Sequence, residues 1–279
     1  MSAPPVTRHG GLLRPLAGTL TLAAALGLAG CTSTVTRTEV QPDAKAAPAP
    51  PDPEQIKRAA GVRLELASLY FSRGQFNTAL DEIKRAIEAD PANSAAYSLS
   101  GLIFAALGNM PQADASFERA LQIDPANADA MNNYGWVLCQ SGRYADAVRM
   151  FERALGQPNY RGTARTLRVM GICQLRDGRL DEAEASLTRS YQLDPSSAES
   201  AVSLAEVLYR RGAYDRARFY VDRINKSSQQ SNAQTLWLGS RIEHKLGNQT
   251  LAYSLGEQLR KRYPQSPEAL AFEQGRFNE

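Results

Sequence analysis

Large hydrophobic residues recur along the chain in two alternating series, and the pair of series repeats about every 34 residues. This pattern predicts pairs of helices that each present one apolar face. A single pair would leave that face in water, so neighbouring pairs must stack to bury it. The first-helix series contains Tyr70, Phe104, Leu138 and Leu208, and the second-helix series contains Ile83, Phe117, Phe151, Leu187 and Val221.

Glycines and other small residues mark the same period. Six glycines follow one another at intervals of 34, 34, 36, 34 and 35 residues, and an alanine lies five positions after each. Glycine can end the first helix of a pair with a positive φ, and a proline can end the second. The sequence therefore predicts six helical hairpins with their bends at Gly74, Gly108, Gly142, Gly178, Gly212 and Gly247.

These coincident registers resemble the tetratricopeptide repeat (TPR) over about residues 60–266. The resemblance implies an all-α fold, a right-handed TPR superhelix (α-solenoid) of six helix–turn–helix repeats within residues 54–279. A short C-terminal capping helix is also predicted, because Ser266 suits an N-cap and Pro267 a first helical turn. Gln174 and Glu243 stand where an aromatic residue or leucine is expected, which weakens the predicted packing of the fourth and sixth units.

The TPR resemblance also implies a concave groove lined by the first helix of each hairpin, the face that usually binds peptides. This inference comes from the fold and does not identify a partner. Trp136 and Ile172 could instead serve in packing between hairpins. By helical phase, the candidate groove residues are Leu64, Phe71, Leu102, Asn132, Trp136, Arg168, Ile172 and Tyr209.

The first 30 residues have the pattern of an export signal. Arg8 and Arg14 precede an apolar run of about 13 residues, which is too short to span a bilayer comfortably. The Leu-Ala-Gly segment before Cys31 resembles a bacterial lipobox, which implies a lipoprotein signal peptide over residues 1–30 and lipidation of Cys31. An ordinary secretory signal or a short transmembrane anchor is the alternative. Thr32 follows the cysteine where inner-membrane lipoproteins carry aspartate, so by family analogy we expect the periplasmic face of the outer membrane.

Residues 31–53 differ in composition from both neighbours. Alanine and proline dominate the second half of this segment, and it contains few large apolar side chains. Such a composition cannot bury enough surface to order itself. We therefore expect a lipidated, disordered tether that holds the folded domain away from the membrane.

Charge and chemistry exclude several classes of function. The formal net charge is +3, and removal of Arg8 and Arg14 with the leader lowers it by two to about +1, too little for a nucleic-acid binder. His9 would be lost with the leader, which leaves His244 as a solvated helix residue. The cysteines do not have the spacing of a zinc site. We expect no enzyme activity, no metal, no cofactor and no small-molecule substrate.

Four segments of the chain resemble one particular family of tetratricopeptide-repeat proteins. They are Asn132–Gln140, Gln157–Tyr160, Gly171–Cys173 and Leu236–Ile242, which resemble the type IV pilus biogenesis lipoproteins of the PilF/PilW pilotin family. That resemblance implies a scaffold that binds the type IV pilus secretin and promotes its outer-membrane localisation and multimerisation. The alternative is a TPR lipoprotein adaptor for outer-membrane barrel assembly or for peptidoglycan-enzyme complexes.

Cys139 and Cys173 lie 34 residues apart on the predicted first helices of consecutive hairpins. In an oxidising periplasm this placement allows a disulfide between the third and fourth units. Two buried free thiols are the alternative. An insertion of two residues between the units leaves open whether the cysteines come within bonding distance.

Overall fold

The computed structural model describes residues 52–278, and all regular secondary structure in that range is α-helical. Thirteen helices follow one another without a strand in this part of the chain. They are α1 (Pro53–Ser72), α2 (Phe76–Ala89), α3 (Ser94–Ala106), α4 (Met110–Ile123), α5 (Ala128–Gln140), α6 (Tyr144–Leu155), α7 (Thr163–Arg176), α8 (Leu180–Leu193), α9 (Ala198–Arg210), α10 (Tyr214–Asn225), α11 (Ala233–Lys245), α12 (Gln249–Arg262) and α13 (Pro267–Glu273).

Consecutive helices pair into six antiparallel hairpins, α1/α2 through α11/α12, as the sequence predicts. Each hairpin packs against the next, and the first helices also contact one another from α1 through α11. The array is therefore an all-α TPR superhelix in which apolar faces are buried only by stacking.

The six marked glycines lie at the hairpin bends, with φ between 72° and 82°. The Gly142 amide donates to the Cys139 carbonyl at 3.1 Å, and the Arg143 amide donates to the Leu138 carbonyl at 2.9 Å. These bonds satisfy carbonyls at the end of α5 that have no partner within the helix. The predicted bend positions are confirmed.

Small residues allow the two helices of a hairpin to approach closely. A Cβ atom added to Gly135 on α5 would lie 2.7 Å from the Phe151 ring of α6. Phe151 is fully buried, as is Ala147 one turn earlier. The glycine is therefore required by the space that the aromatic ring occupies.

Two positions that were expected to weaken packing are accommodated by hydrogen bonds. Gln174 is buried on α7, and its side-chain oxygen accepts from the Ser186 hydroxyl of α8 at 2.8 Å. Glu243 is buried on α11, and its carboxylate accepts from the Asn248 side-chain amide at 2.6 Å. Both polar side chains are therefore satisfied inside the fourth and sixth units, where an aromatic residue or leucine was expected.

The two ends of the repeat array are defined by caps. At the N-terminus the Asp52 carboxylate accepts from the Glu54 amide, and α1 begins at Pro53, which was predicted as the last tether residue. At the C-terminus the Ser266 hydroxyl accepts from the Ala269 amide at 3.1 Å and starts the predicted capping helix α13.

The predicted signal peptide, Cys31 and the tether up to residue 51 lie outside the described residues. Within residues 52–278, no helix has both the length and the apolar character needed to cross a bilayer.

Candidate functional site

An open apolar recess lies on the concave side of the first three hairpins, between α1, α3 and α5. Its volume is about 450 Å³, and it contains three of the predicted groove residues, Phe71, Leu102 and Trp136. None of the three is fully buried, so each presents apolar surface that a ligand could cover. The remaining lining residues are Ala105, Ala106, Met110, Val137, Gln140 and Ser141.

A second, more polar recess of about 530 Å³ adjoins the first and shares Leu102 with it. Leu64, another predicted groove residue, lies in this recess beside Leu99. Hydroxyl and amide groups from α3 and α5 also line it, and the Asn133 side-chain amide donates to the Ser98 hydroxyl at 3.2 Å. The two recesses form one concave surface with an apolar end and a polar end.

Basic side chains of α7 lie beside both recesses, on the side of the fourth hairpin. The Arg176 guanidinium of α7 lies 5.5 Å from the centroid of the Trp136 ring, within the range of a cation–π contact. Arg165 of the same helix pairs at 2.8 Å with Asp129 of α5, which lines the polar recess. The apolar recess therefore has the Arg176 guanidinium at its rim, and the polar recess has an ion pair.

Asn132 does not belong to the open groove, which corrects the prediction. It is only 5% exposed, and its side-chain oxygen accepts from the Thr166 hydroxyl of α7 at 2.8 Å. The Tyr160 hydroxyl lies 2.9 Å from the same Thr166 oxygen. Helical phase placed Asn132 on the concave face, but the structure pairs it with Thr166 of α7, which Tyr160 of the preceding loop contacts in turn.

Arg168 and Ile172 are half-buried on α7 and line neither recess. Their assignment to a peptide groove stays a prediction. Met110 and Gln140 of the recess were not predicted from helical phase, since Met110 opens a second helix and Gln140 ends the Asn132–Gln140 motif.

Tyr209 is on the concave side, but it is covered by the chain itself, which is a second correction. It is 9% exposed, and its hydroxyl donates to the backbone carbonyl of Phe277 at 3.2 Å. Burial raises the pKa of the Tyr209 hydroxyl, while the neighbouring Arg241 guanidinium acts in the opposite direction. The protonated hydroxyl is the form that can donate this bond.

The two internal cysteines are paired in the structure. Cys139 and Cys173 form a disulfide between α5 and α7, with their Cα atoms 5.8 Å apart. The insertion between the units therefore does not move them beyond the separation that a disulfide spans. Both residues are buried in the core cluster that contains Phe151 and Leu138, directly behind the recess.

No group of three or more His, Cys, Asp or Glu side chains that could hold a metal ion occurs within residues 52–278.

The concave face combines an apolar recess with a polar extension. This arrangement is suited to holding a peptide segment.

Profiles of the tetratricopeptide repeat match four overlapping segments, residues 60–93, 92–157, 135–198 and 174–236. Together they span the first five hairpins and reach the start of the sixth. The predicted repeat family and its register are confirmed.

Individual proteins show which group of tetratricopeptide-repeat proteins this chain is similar to. The chain is 28% identical over 249 residues to the type IV pilus assembly protein PilF of Pseudomonas aeruginosa, covering 89% of this chain and 94% of that protein. A solved structure of Pseudomonas aeruginosa PilF superposes with a TM-score of 0.69 at 27% identity, covering 79% of this chain and 99% of the other.

The structure of PilW, described as a widely conserved type IV pilus biogenesis factor, superposes with a TM-score of 0.70 at 30% identity. The match covers 76% of this chain and 97% of PilW. The likeness therefore extends over almost the whole length of both solved relatives. The chain belongs to the tetratricopeptide-repeat proteins of type IV pilus biogenesis, the family of PilF and PilW.

Proposed function

We propose that the protein is an outer-membrane lipoprotein, a pilotin, that binds the type IV pilus secretin and promotes its localisation and multimerisation in the outer membrane. The proposal rests on the family and on one structural feature, the open apolar recess between α1, α3 and α5. The mechanism is binding without chemistry. The domain holds a segment of its partner and keeps it near the membrane.

The recess is matched to a peptide segment that offers apolar side chains. Its volume of about 450 Å³ lies within the range of pockets that bind small ligands, and a few large side chains would fill it. Trp136 offers the type of aromatic surface that often dominates the energy of a protein interface. Covering apolar surface stabilises a complex by roughly 25 cal/mol for each Å² removed from water.

The predicted lipid anchor and tether would supply the second part of the mechanism. Acyl chains on Cys31 would hold the protein at the membrane, since two or more chains are needed for stable anchoring. A flexible segment of this length spans roughly 25–30 Å on average, so the repeat domain could search a small volume. Effective concentrations in such a volume reach about millimolar.

The binding test is co-purification of the secretin from detergent-solubilised membranes. Ala106→Glu places a carboxylate at an exposed position of the recess lining, where it should leave the fold intact and reduce secretin recovery at least about tenfold. Ala115→Glu on α4 is the matched control, because Ala115 is also an exposed alanine and lies outside both recesses.

Equal secretin recovery with both variants would contradict the proposed site. Identification of barrel-assembly or peptidoglycan proteins in place of the secretin would favour the adaptor alternative. A separate arm tests the anchor: Cys31→Ser should move the protein from the membrane pellet to the soluble fraction, and continued pelleting would contradict lipidation.

A further inference from the structure

The concave face is open at the first three hairpins and covered at the last two. Trp237 and His244 on α11 precede the bend glycine of their hairpin by ten and three residues. Leu64 and Phe71, which line the open recesses, precede theirs by the same numbers. Trp237 and His244 therefore occupy positions that face a ligand in the open part of the array.

The segment that covers them is the chain's own C-terminal tail, residues 275–278. After α13 ends, Gly275 adopts φ 66° and turns the chain back toward α11. The Phe277 ring then stacks on His244, with centroids 4.3 Å apart and planes 11° apart, and lies 5.3 Å from the Trp237 ring. Phe277 is only 4% exposed.

Two hydrogen bonds add polar recognition to this aromatic contact. The Tyr209 hydroxyl of α9 donates to the Phe277 carbonyl, and the Lys245 ammonium of α11 donates to the Asn278 side-chain oxygen at 2.7 Å. The tail is thus bound through the Phe277 ring, the Phe277 carbonyl and the Asn278 side-chain oxygen. These are the kinds of contact by which peptide segments are recognised.

The cap that closes the array also has a contact of its own with the last hairpin. Phe272 of α13 packs against Gly256 of α12, where a Cβ atom on the glycine would lie 2.1 Å from the ring. Phe272 is 8% exposed and lies in one cluster with Phe277, Ala269 and Leu259, and the Phe272 and Phe277 ring centroids are 6.1 Å apart. Release of Phe277 would remove this edge contact but leave the contact of Phe272 with Gly256, so α13 would stay in place while the α9/α11 surface is uncovered.

We propose that the concave surface of α9 and α11 is a second peptide site, which the chain's own tail occupies as an internal ligand. Its external ligand is a partner segment with an aromatic residue followed directly by Asn or Asp. The ring replaces Phe277 between Trp237 and His244, the carbonyl accepts from Tyr209, and the acceptor side chain pairs with Lys245. This site is distinct from the recess to which we assign the secretin.

The test uses the full chain with Phe277→Ala, which removes the ring and retains every other side chain. The probe is a synthetic peptide with the sequence of residues 274–279, and binding is measured by isothermal titration calorimetry. The variant should bind the probe at least about tenfold more tightly than the unaltered chain, because an intact tail competes at an effective concentration of about millimolar. A probe with alanine in place of phenylalanine should show no binding.

Two further variants locate the site. Phe219→Ala is the matched control, since Phe219 is 66% exposed on α10 and does not contact the tail; it should show no gain over the unaltered chain. Adding Tyr209→Phe to Phe277→Ala should weaken probe binding several-fold, because the donor to the carbonyl is lost while the ring stays.

A folded Phe277→Ala variant that shows no gain in affinity, or that binds the alanine probe equally well, would overturn the proposal. If Phe277→Ala does not fold, Phe277→Leu keeps an apolar cover and should give a smaller gain, and absence of any gain would be equally decisive. The secretin takes no part in these measurements, so their failure is distinguishable from failure of the proposed function.

Discussion

The hydroxyl of Thr166 on α7 donates a 2.8 Å hydrogen bond to the side-chain oxygen of Asn132 on α5, in a site where Asn132 is 5% exposed and Thr166 fully buried. This bond joins the first helices of the third and fourth hairpins through their polar groups. The Tyr160 hydroxyl extends it to the loop that precedes α7. A residue that helical phase places in the ligand groove is therefore part of the interface between repeats.

Asn132→Ala should destabilise the fold without changing the recess. Loss of the amide leaves the Thr166 hydroxyl without its buried acceptor, which costs about 1–3 kcal/mol. Asn77→Ala on α2 is the control, since Asn77 is exposed, and it should change stability by less than about 0.5 kcal/mol. Urea unfolding measures both values, and equal stabilities would contradict the assigned role of Asn132.

The Cys139–Cys173 disulfide should stabilise the junction of the same two hairpins. Replacing both cysteines by serine should lower the free energy of unfolding by about 2–4 kcal/mol. Thermal unfolding of the oxidised protein and the double variant gives the difference. Maleimide labelling under denaturing, non-reducing conditions checks the pairing, and full modification of both thiols would show that the bond is absent.

Gly135→Ala should be costly although alanine is the better helix former. The new methyl group would meet the Phe151 ring at 2.7 Å, and overpacking of this kind costs about 1–3 kcal/mol. Gly61→Ala is the matched control: Gly61 lies within α1 with no atom within 4 Å of an added Cβ, so the change should stabilise by about 0.5–1 kcal/mol. Effects of the same sign would contradict the packing argument.

Alkaline pH should weaken the third hairpin through Tyr134. Burial, followed by a hydrogen bond to Asp114, raises the pKa of Tyr134 to about 12 from an ordinary value of 10. The unfolded chain ionises first, so the stability from the neutral phenol is complete below pH 10 and is lost as pH rises toward 12. Tyr134→Phe should flatten this part of the stability curve, and an unchanged slope between pH 10 and 12 would exclude Tyr134 as its source.

Sequence alone predicted the repeat because the period is enforced by geometry at each hairpin. A bend that needs positive φ selects glycine at Gly142, and a ring such as Phe151 selects a small residue at Gly135. The same phase correctly brought Phe71, Leu102 and Trp136 to one recess. These features depend on residues within one hairpin or within neighbouring hairpins.

The incorrect predictions of groove residues concern which neighbouring groups cover a side chain. The phase of a helix does not specify those neighbours. Asn132 pairs with Thr166 of the next hairpin, and Tyr209 pairs with Phe277, from a tail that lies outside the repeats. Gln174 and Glu243 were judged by their own polarity, but the hydroxyl of Ser186 and the amide of Asn248 satisfy them. In each case the partner is a particular side chain, which the period and phase of the repeat do not identify.

Site-specific photo-crosslinking in cells tests the central claim most directly. A photoreactive amino acid is placed at Ala106, in the recess between α1, α3 and α5, or at Ala115, which is exposed on α4 outside it. The account predicts a crosslink to the type IV pilus secretin from position 106 and none from position 115. A secretin crosslink from position 115 alone, or none from either position when both proteins are present at normal levels, would contradict it.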